Sequence, residues 1–160
     1  MSKKPLILGI ETSCDETAAS LITQNEQGIP IILSNIVSSQ VDVHKKFGGV
    51  VPELAARAHL EKIDWIVQKA INDSGRKIEE IDAIASTAGP GLIVCLSVGL
   101  SFGKAFASSL NIPFIAVNHL EGHALSPKLN SEISYPYLLL LISGGHSQFL
   151  NVKGLSDYKR

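Results

Sequence analysis

Two histidines, His119 and His123, stand four positions apart in the segment Asn118–His123. Residues four apart lie on one face of an α-helix, separated by about 6 Å along its axis. Two imidazoles at that separation can bind one metal ion through neutral ring nitrogens. The spacing therefore predicts a metal-binding pair on a helix. The alternative is a pair of surface or helix-capping histidines whose spacing is accidental.

The position of Glu121 decides which chemistry such a metal could support. In the H-E-x-x-H motif of metallopeptidases the glutamate directly follows the first histidine, about 100° round the helix, and acts as general base. Glu121 instead stands two residues after His119, about 200° round the helix, so we expect it to face away from the histidines. The pattern favours a metal pair without a peptidase base beside it.

Composition narrows the class of protein. The chain has 160 residues, 45% of them hydrophobic, and a formal net charge of −1. This length suits one domain or slightly more, and the absence of a basic excess argues against a stand-alone nucleic-acid binder. Two cysteines form no disulfide framework, which indicates a reducing cytoplasm. Acidic Glu11 and Asp15 soon follow the first short apolar run, which argues against a signal peptide.

Hydrophobic periodicity and turn residues predict an alternation of strands and helices. Apolar Leu92–Leu110 contains Lys104, four serines and two glycines, and we interpret it as a buried helix of a soluble protein, not a membrane span. Gly99 and Gly103 should let a neighbour pack closely against it. The predicted elements are strands at Leu6–Ile10, Ala18–Thr23, Ile31–Val37, Ile81–Thr87 and Phe114–Val117, and helices from Pro52 to before Gly75, at Leu92–Leu110 and around the histidine pair.

This order predicts an antiparallel meander of three strands, extended by two parallel strands through helical crossovers. A mixed five-stranded sheet of this kind is the actin-like, ribonuclease-H-like α/β fold. We assign residues 1–127 to this domain and 128–136 to a linker. In residues 137–160 the apolar strand Tyr137–Ile142, a small-residue turn and a returning strand Gln148–Val152 repeat the start of the chain. We therefore expect a second, similar domain to begin here, and the sequence to be part of a longer or split protein.

Three further features could contact a ligand. The turn Glu11–Thr17 offers hydroxyls, N–H groups and carboxylates, and in actin-like folds this turn faces phosphate; an ordinary polar hairpin is the alternative. The turn Ser143–Gly145 could approach a nucleotide closely, and His146 beside it could contact ligand or solvent. Cys14 has no histidine near it in sequence to act as a base. We place His44 and His59 on the surface.

Five segments together resemble one family: Gly9–Thr17, Gly48–His59, Gly89–Leu92, Asn118–His123 and Leu141–His146. The chain is similar to the bacterial tRNA adenosine threonylcarbamoyltransferases, formerly labelled O-sialoglycoprotein endopeptidases or glycoproteases. The resemblance runs through nearly all of the chain and covers about the N-terminal half of a family member.

The resemblance implies two actin-like domains around a cleft. It also implies transfer of the threonylcarbamoyl group from threonylcarbamoyl-AMP to the N6 amine of the tRNA adenosine beside the anticodon, with AMP as leaving group. It makes His119 and His123 ligands of one metal per subunit, iron or in some members zinc, and leaves the family's third ligand, an aspartate, outside these 160 residues. The implied substrate-site residues are Leu141, Ile142, Ser143, Gly144 and Gly145, and the candidate phosphate loop is Glu11, Thr12 and Ser13.

The implied partners are tRNA, a paralogous subunit and a small P-loop ATPase, in the cytoplasm and without a membrane. No residue of the sequence is an evident general base, so the catalytic residues stay unassigned. Three other interpretations stay open: a metallopeptidase, a non-catalytic scaffold subunit, and a fragment without activity of its own.

Overall fold

The computed structural model describes residues 4–129, 131, 133–142 and 147–159. The chain divides into two compact units, Met1–His119 and Leu120–Arg160. These units do not test the predicted domain limits, 1–127 and 137–160 with a linker between them, which stay a prediction. Each unit is described by itself below.

The first unit is built on a mixed five-stranded sheet. Its strands lie in the order β3-β2-β1-β4-β5, with β1, β2 and β3 antiparallel and β4 and β5 added parallel to β1. The predicted meander with two parallel additions is therefore confirmed, and each predicted strand lies within two residues of its place. The strands are β1 Ile7–Glu11, β2 Glu16–Gln24, β3 Pro30–Ser39, β4 Ala83–Gly89 and β5 Phe114–Asn118.

The helices follow the predicted order with one addition. Helix α1, Val41–Lys45, lies in a segment that we predicted to be a loop from His44 onwards. Helix α2, Pro52–Asp73, starts with proline in its first turn, and Gly75 follows its C-cap with φ +68°, the left-handed conformation predicted there. The remaining helices are α3 Ile93–Leu110, α4 His119–Leu125 and short 3₁₀ segments at Ile78–Glu80 and Ser126–Leu129.

The main core lies where α2 and α3 cover the sheet. Leu8, Leu21, Ile66 and Ile84 are fully buried in it. The apolar residues Ile63, Ile66, Val67, Ala70 and Ile71 recur at helical spacing along α2, and all of them are buried. Leu60 fits the same spacing but is 64% exposed. Leu60 lines an open apolar groove with Ile63, Val98 and Phe102.

Helix α3 has the length and composition of a membrane span, a weak criterion that core helices also meet. We predicted a buried helix; one face of α3 packs in the first unit, whereas Ile93 on the outer side is 75% exposed. The close packing expected at its glycines is confirmed. A Cβ on Gly99 would collide with Thr12 Oγ1, and one on Gly103 with Ser86 Oγ. The glycines therefore let the helix backbone approach the turn after β1 and strand β4.

The second unit contains an antiparallel three-stranded sheet. Strands β6, Tyr137–Ile142, and β7, Ser147–Gly154, confirm the predicted hairpin. A third strand, β8, Asp157–Lys159, was not predicted; it follows a turn in which Ser156 has φ +56°. A small core forms from Ala124, Leu150 and Val152 with partly buried tyrosines. The sheet's other face exposes Leu138, Leu140, Ile142 and Phe149.

The tight contact at Gly99 should make this position intolerant of any side chain. We expect Gly99→Ala to lower the free energy of unfolding by about 1–3 kcal/mol, the usual cost of overpacking. The added methyl group would displace Thr12 Oγ1, which donates to the Cys95 carbonyl and accepts from Gly99 N–H. Urea denaturation measures the change. Gly49→Ala, in open space, is the control, and equal stability of the two variants would contradict the argument.

Candidate functional site

The turn between β1 and β2 is anchored to the beginning of α3. The Thr12 hydroxyl is buried, donates to the Cys95 carbonyl (2.9 Å) and accepts from Gly99 N–H (3.1 Å). The Leu92 N–H donates to the Ser13 carbonyl at 2.8 Å. Thr12 is part of the candidate phosphate loop, and its hydroxyl is already used inside the unit. Any contact of Thr12 with a ligand would therefore come from its backbone and not from its hydroxyl.

Glu11, the last residue of β1, forms the centre of a polar cluster. Its carboxylate accepts hydrogen bonds from Ser13 N–H, from Thr87 Oγ1 (2.5 Å) and from His119 Nδ1 (3.2 Å). Burial raises the pKa of Glu11, but the hydrogen bonds from His119, Ser13 and Thr87 outweigh it and hold the pKa at about 2. Glu11 is therefore an ionised acceptor at neutral pH.

His119 stands where β5 ends and α4 begins. Its Nδ1–H donates to Glu11, and Ser13 Oγ lies 3.3 Å from the same nitrogen. The hydrogen bond to Glu11 raises the pKa of His119 against the opposing effect of burial. With its proton on Nδ1, the neutral imidazole carries its lone pair on Nε2, the form in which a histidine binds a metal. A carboxylate on the other ring nitrogen is the usual companion of metal-binding histidines.

His123 follows one turn later on α4, as the spacing predicts. Within the part of the chain that the structure describes, no three histidine, cysteine or acidic side chains cluster to hold a metal. The donor types of His119 and His123 fit iron or zinc, and they account for two ligands. The metal assignment of both residues stays a prediction.

Glu121 is tied to the second unit's sheet. Its Oε1 accepts from the Ser156 N–H (3.1 Å), the Ser156 hydroxyl (2.9 Å) and the Tyr158 hydroxyl (3.0 Å). Burial and the hydrogen bond to Glu121 raise the pKa of Tyr158 to about 12. These contacts give Glu121 a structural role, in keeping with the expectation that it is not a peptidase base.

Two of the predicted substrate-site residues, Leu141 and Ile142, are the last residues of β6. Leu141 is buried, and Ile142 is 71% exposed. Ser143, Gly144, Gly145 and His146 lie outside the described residues. The assignment of these residues to a substrate site stays a prediction.

Two histidines that we predicted on the surface are buried. His59 has no exposed surface and His44 almost none. They can be buried because their ring nitrogens form hydrogen bonds. Those of His59 bond to Thr17, Gln40 and the Cys14 carbonyl, and one of His44 bonds to Gln40. The signal was present in the sequence, because His59 lies four residues from Ala55 and from Ile63 on the buried face of α2.

The surroundings of Cys14 disfavour its thiolate. Burial and the neighbouring Asp15 raise the pKa of its thiol to about 11. The reactive species of a cysteine is the thiolate, which this environment suppresses. That Cys14 is not a nucleophile stays a prediction.

Comparison with known proteins bears on this site. Residues 31–160 match the profile of the family described as "TsaD: tRNA N6-adenosine threonylcarbamoyltransferase". The chain belongs to this family. It is 80% identical over 160 residues to the tRNA N6-adenosine threonylcarbamoyltransferase of Pelagibacter ubique, and 56% identical over 154 residues to that of Brucella canis. The alignments cover 100% and 96% of this chain but only 45% and 43% of the two relatives.

Solved structures support the predicted fold. The chain is similar to YeaZ from Pseudomonas aeruginosa, with a TM-score of 0.56 at 16% identity over 91% of this chain and 64% of that one. It is also similar to the Ppx/GppA family member of Aquifex aeolicus, with a TM-score of 0.55 at 11% identity over 99% and 50%. At these identities the likeness concerns the fold alone. The actin-like, ribonuclease-H-like prediction is thereby confirmed.

The buried His59 should make stability depend on pH. Burial lowers the pKa of His59 below its ordinary value of 6.5. As the pH falls below 6.5, the unfolded chain takes up a proton that the folded one resists, so this contribution to stability is present above pH 6.5 and is lost below it. We expect His59→Gln to flatten the fall in stability between pH 7 and pH 5, measured by urea denaturation. An unchanged pH dependence would contradict the burial of a neutral His59.

Proposed function

We propose that this chain takes part in transfer of the threonylcarbamoyl group from threonylcarbamoyl-AMP to the N6 amine of the adenosine beside the tRNA anticodon. The observation that carries the proposal is the Glu11–His119 pair beside an anchored turn, in a chain of this family. The chain spans less than half the length of the curated relatives reported above, so the activity concerns the whole protein encoded by its reading frame.

In this proposal His119 and His123 hold one divalent metal, iron or zinc. Such a metal supplies Lewis acidity that polarises the acyl carbonyl and orients phosphate oxygens. Glu11 is a positioning residue: it fixes the His119 proton on Nδ1 and orients the ring through its 3.2 Å hydrogen bond. An adenine amine is a weak nucleophile, so the acyl carbonyl must be made more electrophilic for transfer to occur.

The side chain and the backbone of the candidate phosphate loop have different proposed roles. Glu11 is ionised at neutral pH and would repel a phosphate, so its carboxylate serves His119 and not the nucleotide. The backbone N–H groups of Cys14 and Asp15 are the donors that would serve an anion, because the Ser13 N–H already donates to Glu11. We further propose that Leu141, Ile142, Ser143, Gly144 and Gly145 contact the substrate, as the resemblance to the family implies.

Peptide hydrolysis is the second candidate function, from the family's former label. The contacts of Glu121 with Ser156 and Tyr158 favour the transferase, because a glutamate engaged in this way is not available as a general base. A non-catalytic scaffold would have no use for a histidine pair with a carboxylate behind it. The present residues therefore fit transfer best.

The proposed partners are tRNA, a paralogous subunit and a small P-loop ATPase, in the cytoplasm. The near-neutral charge supports shared tRNA recognition, because a protein that binds tRNA alone needs a basic surface.

Metal binding tests the proposed roles of the histidines and of Glu11. With the complete reading frame that encodes these residues, we expect His119→Ala plus His123→Ala to abolish binding of Co²⁺ at neutral pH. Glu11→Gln should weaken it about 10- to 100-fold, the usual effect of losing the partner of a metal-binding histidine. Titration followed by Co²⁺ absorption gives both affinities. Glu16→Gln, an exposed change on the same hairpin, is the matched control. Wild-type affinity in Glu11→Gln would refute its positioning role.

Activity tests the reaction itself. The whole protein, with threonylcarbamoyl-AMP, tRNA and the proposed partners, should form threonylcarbamoyladenosine in tRNA, detected by mass spectrometry of nucleosides. We expect His119→Ala to reduce the rate by about 100-fold or more, since metal polarisation supplies several kcal/mol. Incubation of the metal-loaded protein with peptides is the opposing arm. Peptide cleavage without tRNA modification would exclude the proposed reaction in favour of hydrolysis.

A further inference from the structure

A line of buried hydrogen bonds runs beneath the turn after β1. It begins at the Val51 N–H, 3.4 Å from His44 Nδ1, and continues from His44 Nε2 to Gln40 Oε1 at 3.1 Å. Gln40 Nε2 then lies 3.2 Å from His59 Nδ1, and His59 Nε2 lies 3.1 Å from the Cys14 carbonyl. Gln40, His44 and His59 are all buried. This line joins the segment Gly48–His59, which the proposed function leaves without a role, to the turn.

The two ends of this line fix the direction of every hydrogen bond in it. The Cys14 carbonyl can only accept, so His59 Nε2 carries a proton and Nδ1 is the acceptor, its one lone pair shared between the Gln40 amide at 3.2 Å and the Thr17 hydroxyl at 2.8 Å. The Val51 N–H can only donate, so His44 Nδ1 accepts and His44 Nε2–H donates to Gln40. Both histidines are therefore Nε2–H tautomers, and each group in the line has a complementary partner.

The same turn is held at three successive carbonyls. The Leu92 N–H donates to the Ser13 carbonyl at 2.8 Å, and the His59 Nε2–H donates to the Cys14 carbonyl at 3.1 Å. The Gln40 backbone N–H donates to the Asp15 carbonyl at 2.9 Å. In a trans peptide the next N–H points opposite to the carbonyl. The Asp15 N–H therefore points away from His59, and the Cys14 N–H points away from the start of α3. Holding the carbonyls inward sets the direction of the N–H groups that an anion could use.

We propose that His59 is a positioning residue for the turn 12–15: through its Nε2–H it holds the Cys14 carbonyl and thereby aims the turn's N–H groups at the nucleotide. Gln40 and His44 fix the His59 tautomer from behind. The inference rests on the proposed function only in naming a nucleotide as the ligand. The hold on the turn itself follows from the contacts.

Substitution of His59 by glutamine or by asparagine distinguishes the roles of its two ring nitrogens. The side-chain nitrogen of glutamine reaches the position of Nε2, whereas an asparagine amide reaches only that of Nδ1. His59→Gln keeps a donor for the Cys14 carbonyl, and His59→Asn loses it. Val67→Ala, a buried change elsewhere on α2, lowers stability without touching the line and is the control. His44→Gln and His44→Asn form a second pair, with a smaller expected effect, for the case that His59→Asn does not fold.

The experiment measures AMP affinity of the whole protein, loaded with Zn²⁺, by calorimetry, together with NMR of the folded variants. We expect His59→Asn to bind AMP about tenfold more weakly, the effect of one lost hydrogen bond. His59→Gln and Val67→Ala should stay within about twofold of wild type, a change of less than about 0.5 kcal/mol. The Cys14 carbonyl ¹³C shift should move in His59→Asn alone, and ¹⁵N spectra should show Nε2–H tautomers for His44 and His59.

Each result separates the positioning role from a merely structural one. Equal AMP affinity in His59→Asn and His59→Gln would overturn the proposal, as would an equal loss in Val67→Ala or an Nδ1–H tautomer at His59. If the wild type does not bind AMP but the Cys14 shift still moves in His59→Asn alone, the hold on the turn stands and the proposed function fails.

Discussion

The parallel pairing of β1, β4 and β5 is the constraint on which the candidate site depends. Parallel neighbours end at the same edge of a sheet, so the residues that close these strands meet there. Glu11 ends β1, Thr87 lies near the end of β4, and His119 follows β5. Their side chains form one hydrogen-bonded cluster although 108 positions separate Glu11 from His119 in sequence. Ligands of open α/β sheets bind outside this same edge.

The sheet alone does not form a binding site at this edge, because the turn that follows β1 must also be fixed in one backbone conformation. Gly99 lets the backbone of α3 come close enough for Thr12 to bond to Cys95 and Gly99. His59 and Gln40 hold the turn from α2 and from the end of β3. Burying these polar groups costs desolvation, which complementary partners offset, and satisfied networks of this kind specify one arrangement of the backbone. An apolar filling could stabilise the unit equally well but would leave the turn's carbonyls without partners.

Local patterns explain which parts of the structure could be predicted from the sequence. Strand runs, the helix beginning at Pro52 and the left-handed Gly75 depend on neighbouring residues, and all were correctly placed. The histidine spacing likewise pointed to α4. The pairing of Glu11 with His119 could not be predicted, because it depends on the alignment of strands far apart in sequence. His44 and His59 were misplaced because their residue type suggested exposure. The position of His59 on the apolar face of α2 did indicate burial, but the contacts of its ring with Thr17, Gln40 and the Cys14 carbonyl could not be predicted from local patterns. Strand β8 is three residues long and carries too little periodicity to be recognised.

The electrostatics of the turn bear on the kind of ligand that it could accept. Partial burial raises the pKa of the otherwise exposed Glu16, and the nearby Asp15 and Glu11 raise it further. Asp15 likewise helps to raise the pKa of Cys14. Burial is the larger cause of both shifts, and the carboxylates of Asp15 and Glu11, which add to it, give residues 11–16 a negative potential. An anionic phosphate would be repelled there unless a cation offset the charge. The proposed nucleotide and the proposed metal are thus not independent, because hydrogen bonds from the turn can orient a phosphate but cannot neutralise the carboxylates around it.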